Sequence, residues 1–189
     1  MPDVVARRVD VLVPTVPAVV LGSTQADPSG AAAIEVVRRR SGGGAVLVAP
    51  DGPLWVDVDL PVGDPLWSDD VGASFGWLGS AWAVALGAGD VHEGPFVPGR
   101  WGRTVCFAGR GPGEVFVDGA KVVGLAQRRT RAGARFQCAV LSRWEPGPLI
   151  DVVVPAEDRA EARRDLADVA RGVSLDGVLD RFLEVLARL

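Results

Sequence analysis

The chain is poor in the side chains that most often mark a catalytic or metal site. Of its 20 Lys and Arg residues only Lys121 is lysine; there is one histidine, His92, and two cysteines, Cys106 and Cys138. Two cysteines and a lone histidine cannot build a Cys/His zinc centre and are too few for a disulfide framework, so a reducing, cytoplasmic setting is expected. No apolar run reaches the length that crosses a bilayer, and residues 1–8 lack the basic-then-apolar order of a secretory signal. Neither the Gly-x-x-x-x-Gly-Lys-Ser/Thr spacing of a nucleotide P-loop nor the Gly-x-Gly-x-x-Gly of a dinucleotide fold occurs. The formal net charge of -4 argues against a general polyanion binder, and the basic runs are too short and lack the interleaved aromatics of a nucleic-acid surface. Arg38-Arg39-Arg40 and Arg128-Arg129 retain the capacity to hold a small anion.

What is present fits one soluble globular domain over residues 1–189. Hydrophobic residues make up 48% of the chain and charged ones 23%, which excludes wholesale disorder. Short β-branched runs predict strands over Val9–Pro14, Ala18–Gly22, Ile34–Arg38, Ala45–Val48 and Leu54–Asp59, with Asp57 and Asp59 sharing one solvated face. The alanine- and leucine-rich stretch Asp69–Leu86 reads as one long buried helix, and Gly87–Gly102 as loop. Further strands follow over Thr104–Ala108, Glu114–Val117, Lys121–Gln127 and Arg135–Leu141. Two amphipathic helices close the chain, Ala156–Arg171 and Leu175–Leu189, with Ser174 and Asp176 placed to start the last. No internal repeat or long linker appears. Strands, a helix, more strands and two helices make an α+β domain with a mixed or antiparallel sheet packed against helices.

Two segments carry chemistry. Three consecutive glycines in Arg38-Arg39-Arg40-Ser41-Gly42-Gly43-Gly44-Ala45-Val46 weaken a strand by removing side-chain packing and adding backbone entropy. That pattern suits a place where another molecule lies against the main chain, its carboxylate or phosphate held by N–H groups and a nearby arginine. The second segment is Asp118-Gly119-Ala120-Lys121-Val122-Val123-Gly124-Leu125-Ala126-Gln127. In an arginine-rich chain the sole lysine marks a position where a compact, rotatable ammonium serves and a planar fork does not.

These two segments, with Val19-Val20-Leu21-Gly22-Ser23-Thr24-Gln25 ahead of them, resemble the catalytic domain of the lipoate–protein ligases, a family that includes biotin–protein ligases and octanoyltransferases. The family pattern is Arg-Arg-x-Ser-Gly-Gly-Gly-Ala-Val, then Lys-Ile/Val-x-Gly-x-Ala-Gln, and the likeness runs over roughly Val9 to Leu141. It implies a class II synthetase-like architecture without the C-terminal accessory domain of the larger ligases. It also implies ATP-dependent activation of lipoate or octanoate to an acyl-adenylate, with magnesium beside the ATP. The acyl group then passes to a lysine of a lipoyl carrier domain, such as a 2-oxoacid dehydrogenase acyltransferase subunit or the glycine-cleavage carrier protein, with an accessory subunit as a further partner. Lys121 would stabilise the charge of adenylation; Arg39, Ser41, Gly42, Gly43, Gly44 and Ala45 would line the acyl-adenylate; Gly124 and Ala126 would let the ligand approach. No residue is assigned to a metal.

The chain departs from the pattern at three places. Leu47-Val48-Ala49 stands for Phe-His-Asp, Gly109-Arg110-Gly111-Pro112-Gly113-Glu114 for Gly-Arg-Asn-Asp, and Phe136-Gln137-Cys138-Ala139 for Leu-x-His-Gly. Glu114 resembles the acidic residue of the octanoyltransferase branch. Two alternatives therefore stand beside the ligase: a transferase working through a cysteine thioester, with Cys138 the better nucleophile, and a non-catalytic binder of lipoate or an acyl-adenylate. Both cysteines also read as core residues, and His92 as a solvated loop residue.

Overall fold

The computed structural model describes residues 6–28 and 34–189. Its β-branched runs pair into two sheets. Strands β1 (Arg8–Leu12), β5 (Leu54–Pro61), β9 (Gly133–Val140), β8 (Ala120–Arg129), β7 (Val115–Val117) and β6 (Asp90–Val91) lie in that order, each antiparallel to its neighbour. Strands β3 (Glu35–Arg38), β2 (Ala18–Leu21) and β4 (Val46–Val48) form the smaller sheet, where β2 runs parallel to β3 and antiparallel to β4. The expected mixed α+β architecture is what forms.

Period-two alternation gives the large sheet two different faces. Val56, Val58, Leu60, Phe136, Cys138 and Val140 pack against α1 (Gly76–Leu86) and α4 (Val178–Leu186). There Trp82 stacks on Phe182, ring centroids 3.6 Å apart and nearly parallel at 6°. The other face is partly roofed by the small sheet: Trp55, Ala139 and Leu141 meet Ala18, Val46, Val48 and Phe107. Helices α2 (Gly147–Val153) and α3 (Arg159–Asp165) cover the far side of the small sheet through Leu149, Ile150, Ala162 and Leu166.

Four expectations are corrected. The helix expected over Asp69–Leu86 begins only at Gly76, because Asp70 Oδ1 accepts the Ala73 N–H and a short 3-10 turn, Ala73–Phe75, intervenes. Thr104–Ala108 is not a strand: Thr104 and Val105 donate back to the Trp101 carbonyl, and the segment touches Ala45 by a single bridge. The helix expected over Ala156–Arg171 stops at Asp165, since residues 169–171 instead pair with Lys121, and α2 went unforeseen. The last helix starts after Gly177 in a left-handed conformation (φ 65°) with no side-chain cap; Ser174 and Asp176 bond to each other.

The Trp82–Phe182 stack fastens α4 to the domain. Phe182→Ala should cost about 3–5 kcal/mol, read as a lowered midpoint in urea unfolding; a loss below about 1 kcal/mol would mean α4 is not part of the cooperative core.

Candidate functional site

Lys121 follows a two-residue hairpin turn, Asp118-Gly119, whose positive φ values (51° and 79°) match the twist of a tight β-hairpin. Val117 pairs with Ala120 and Phe116 with Lys121, but Val115 pairs with Val123, so Val122 is an extra residue. This bulge has a consequence for the motif. Strict alternation would send Lys121 and Gly124 to opposite faces; with the extra residue both meet the Phe107 ring. The Lys121 ammonium stands 5.3 Å from the ring centroid, and a Cβ on Gly124 would come within 3.2 Å of Phe107 Cζ.

The ammonium is fully buried, with 0% exposure, and has three partners for its three hydrogens. It pairs with Glu114 Oε2 at 2.6 Å and donates to the carbonyls of Cys106 at 2.8 Å and Gly109 at 3.1 Å. Glu114 also accepts from Gly111 N at 2.6 Å and Leu125 N at 3.3 Å, which fixes both its oxygens. A buried pair of this kind holds its geometry because removing either partner strands a charge in the interior.

Cys106 joins the lysine to the glycine triplet. Its carbonyl accepts from Lys121 and its N–H donates to Ala45 O at 3.0 Å. The two backbones approach so closely that a Cβ on Gly44 would lie 2.6 Å from Cys106 N. Gly43 adopts φ 95°, and a Cβ on Gly42 would meet nothing within 4 Å, so the triplet is tight at one end and open at the other. Gln25 fastens the neighbouring turn, accepting from Gly22 N at 2.8 Å and donating to Thr104 O at 2.9 Å.

Arg39 is 8% exposed and wraps the same strand. It donates to Val20 O, Gly42 O, Gly44 O and Ser41 Oγ at 2.8–3.1 Å. Burial lowers its guanidinium from the ordinary value, and neighbouring Cys106 acts in the opposite sense. Ser41 then donates to Gln137 Oε1 at 2.6 Å, and Gln137 Nε2 donates to Asp57 at 3.2 Å. Ala126 lies directly across from Gln137. Arg38, Arg39 and Gln137 line a groove of about 360 Å³ whose remaining walls are apolar, chiefly Leu12, Val13, Val20, Val37, Val48 and Trp55. A larger cavity of about 780 Å³, lined by Gln25, Arg103, Thr104 and Arg159, contains neither Lys121 nor the triplet.

Arg39, Ser41, Gly42, Gly43, Gly44, Ala45, Lys121, Gly124 and Ala126 thus gather along one seam between the sheets. Cys138 does not belong to it. On β9 it is fully buried against the α1 and α4 layer, and burial pushes its thiol up to about 12, so the better nucleophile expected from sequence is a core residue. Cys106, partly exposed, is the thiol at the seam. Asp57 and Asp59 are not solvated either: at 4% and 6% exposure they are bound by Trp55, Gln137 and Arg135. Their alternation is visible in sequence; that Arg135 pairs with them follows only from the β5–β9 register. His92 sits apart, its Nε2 beside Pro95 O at 3.1 Å.

The model of the Biotin/lipoate A/B protein ligase family matches residues 20–143. A search of curated proteins gives no match. Among solved structures, a Thermoplasma acidophilum protein assigned as a lipoate protein ligase, with bound lipoic acid, superposes with a TM-score of 0.67 at 17% identity, over 96% of this chain and 72% of that one. The bipartite lipoate protein ligase of T. acidophilum, described with its E2 lipoyl domain, gives 0.66 at 18% identity over 92% and 67%. A lipoate-protein ligase A bound with ATP gives 0.62 at 17% over 92% and 68%. At these identities the likeness establishes the fold. No helix among the described residues is long and apolar enough to cross a membrane.

Two measurements check this geometry. Gly44→Ala should cost about 1–3 kcal/mol while Gly42→Ala stays within about 0.5 kcal/mol; equal losses would contradict the tight and open ends of the triplet. Iodoacetamide should label Cys106 in the folded protein and Cys138 only after denaturation, as peptide mass mapping would report.

Proposed function

On the premise that the chain belongs to the Biotin/lipoate A/B protein ligase family, we propose that it activates lipoate or octanoate with ATP and transfers the acyl group to a lysine of a lipoyl carrier domain. The observation that carries the reading is the junction at Cys106, where a buried ammonium meets a bare glycine segment whose other end, at Arg39, lines a largely apolar groove. In the first step a carboxylate oxygen attacks the α-phosphorus of ATP and pyrophosphate leaves. In the second, the carrier's amine attacks the acyl carbonyl, AMP leaves, and the amine loses a proton.

Lys121 serves both steps as a fixed positive charge next to the oxygens that gain negative charge. To reach it, a ligand oxygen must replace the carbonyl of Cys106 or Gly109, so the turn over residues 106–109 shifts when substrate binds. Main-chain groups of Gly42–Ala45 run along the acyl-adenylate, and the Leu12, Val20, Val48 and Trp55 walls take the hydrocarbon. Magnesium would neutralise the polyphosphate. Among the described residues no three His, Cys, Asp or Glu side chains cluster for it, so the nucleotide's own phosphates would provide most of its ligands. That a T. acidophilum relative is bipartite and is described with an E2 lipoyl domain supports a lipoyl carrier as acceptor, with an accessory subunit as part of the same proposal.

A second reading, an octanoyltransferase, is favoured by the exposure of Cys106 at the seam. Its thiolate would attack an acyl-carrier thioester, the carrier thiol leaving with a proton. Incubation with ATP, magnesium and lipoate or octanoate should yield acyl-adenylate by mass spectrometry, reduced about 100-fold or more in Lys121→Arg. Parent-like turnover by that variant would remove Lys121 from the mechanism, and an octanoyl adduct on Cys106 without ATP would transfer the reading to the second.

A further inference from the structure

The contact between Ser41 and Gln137 belongs to a chain of side chains whose hydrogen bonds can run in only one direction. Arg39 has donors and no acceptor, so Ser41 Oγ must accept from its Nε, at 3.0 Å. The single Ser41 proton then goes to Gln137, at 2.6 Å, which obliges Gln137 to turn its carbonyl oxygen toward the serine. Its Nε2 faces Asp57, lying 3.2 and 3.4 Å from the two carboxylate oxygens. An ionised carboxylate accepts only, and closes the chain. The four residues come from β5, β9 and the connection between β3 and β4, so the chain ties that connection to the large sheet beside the groove that Arg39 and Gln137 line.

We propose that Asp57 is a positioning residue for this site: acting through Gln137, it fixes the direction of the Ser41 hydroxyl and holds the glycine-bearing connection between β3 and β4 to the large sheet in its ligand-ready arrangement. An ionised Asp57 commits one Gln137 N–H to itself and leaves the other available to an acceptor in the groove that Gln137 lines. A protonated Asp57 supplies a donor. The amide can then reverse, directing a second donor at Ser41 and turning the serine proton away from Gln137, so the strand loses its cross-sheet tie.

Asp57 remains at this position against a cost. Burial raises its carboxyl above the ordinary range, opposed by hydrogen bonds from Trp55 and Gln137 and by Arg135. For a raised acid pKa the ionised form is the less stable one in the fold: the penalty is absent below the unfolded carboxyl range, grows as pH rises from there to the raised value, and is complete above it. The charged groups facing Asp57 are Arg135 Nη1 at 3.6 Å on β9, Asp10 opposite on β1 and Asp59 on its own strand. From the small sheet Arg39 reaches it only through Ser41 and Gln137. A buried carboxylate carrying such a penalty is explicable when an adjoining group needs it ionised.

The proposal rests on the acyl-binding reading of the groove, and the test separates the two. In the unliganded protein, the Gln137 side-chain amide signals in ¹H–¹⁵N spectra should shift as pH falls through the raised titration of Asp57 and show no such step in Asp57→Asn. Octanoate should bind the parent protein more weakly once pH falls through the same titration that moves the Gln137 amide, and about tenfold more weakly and without that step to Asp57→Asn, by calorimetry. Gln137→Met, which keeps Asp57 bound by Trp55 and Arg135, should reproduce that weakening and serves if Asp57→Asn does not fold. Identical amide titrations in parent and Asp57→Asn, or unchanged octanoate affinity in both variants, overturn the positioning role. If the parent shows the amide shift but binds neither octanoate nor lipoate, the acyl reading fails, and with it the claim that Asp57 serves a ligand.

Discussion

The seam depends on one buried ammonium. Lys121, with no exposed surface, is held by Glu114 and by the carbonyls of Cys106 and Gly109. Through Cys106 that cluster fixes residues 105–106, and these in turn require a glycine at position 44, where a side chain would collide with the backbone. The triplet and the lysine lie 77 positions apart if counted from Gly44 to Lys121, yet a single residue separates them in space. Electrostatics explains why the arrangement is held in the unliganded protein: an interior charge pair has few alternative geometries, and each carbonyl it recruits fixes a stretch of main chain until another oxygen takes its place.

A second, independent tie crosses the same seam. The Arg39–Ser41–Gln137–Asp57 chain links the other end of the glycine strand to β9 and β5. The groove lies beside this tie, and the lysine lies beyond Gly124 in the opposite direction along β8. The seam therefore has a buried ammonium–carboxylate pair at one end and, at the other, a hydrogen-bonded chain beside a groove whose walls include residues of the edge strands β1 and β3.

Much of this could be read in the sequence because it resides in local patterns. The triple glycine, the Asp118-Gly119 turn and the β-branched strands each express a backbone preference that a few neighbouring residues decide. What could not be read depends on partners distant in sequence. Alternation placed Asp57 and Asp59 on one face, but only the pairing of β5 with β9 shows that Arg135 meets them there. Cys138 seemed the better nucleophile by its nearness to the lysine strand; its side chain points to the helical layer, which one residue of register decides. The bulge at Val122 is invisible in composition, yet it turns Lys121 toward the face that Gly124 occupies.

Because the chain has one lysine, the central claim can be tested by amine chemistry alone. Acetic anhydride or reductive methylation of the folded protein, followed by intact and peptide mass analysis, should modify the N-terminal amine and leave Lys121 untouched until denaturant is added. Modification of Lys121 in the folded protein at the rate of the N-terminus would contradict the buried, fully partnered ammonium on which the site depends.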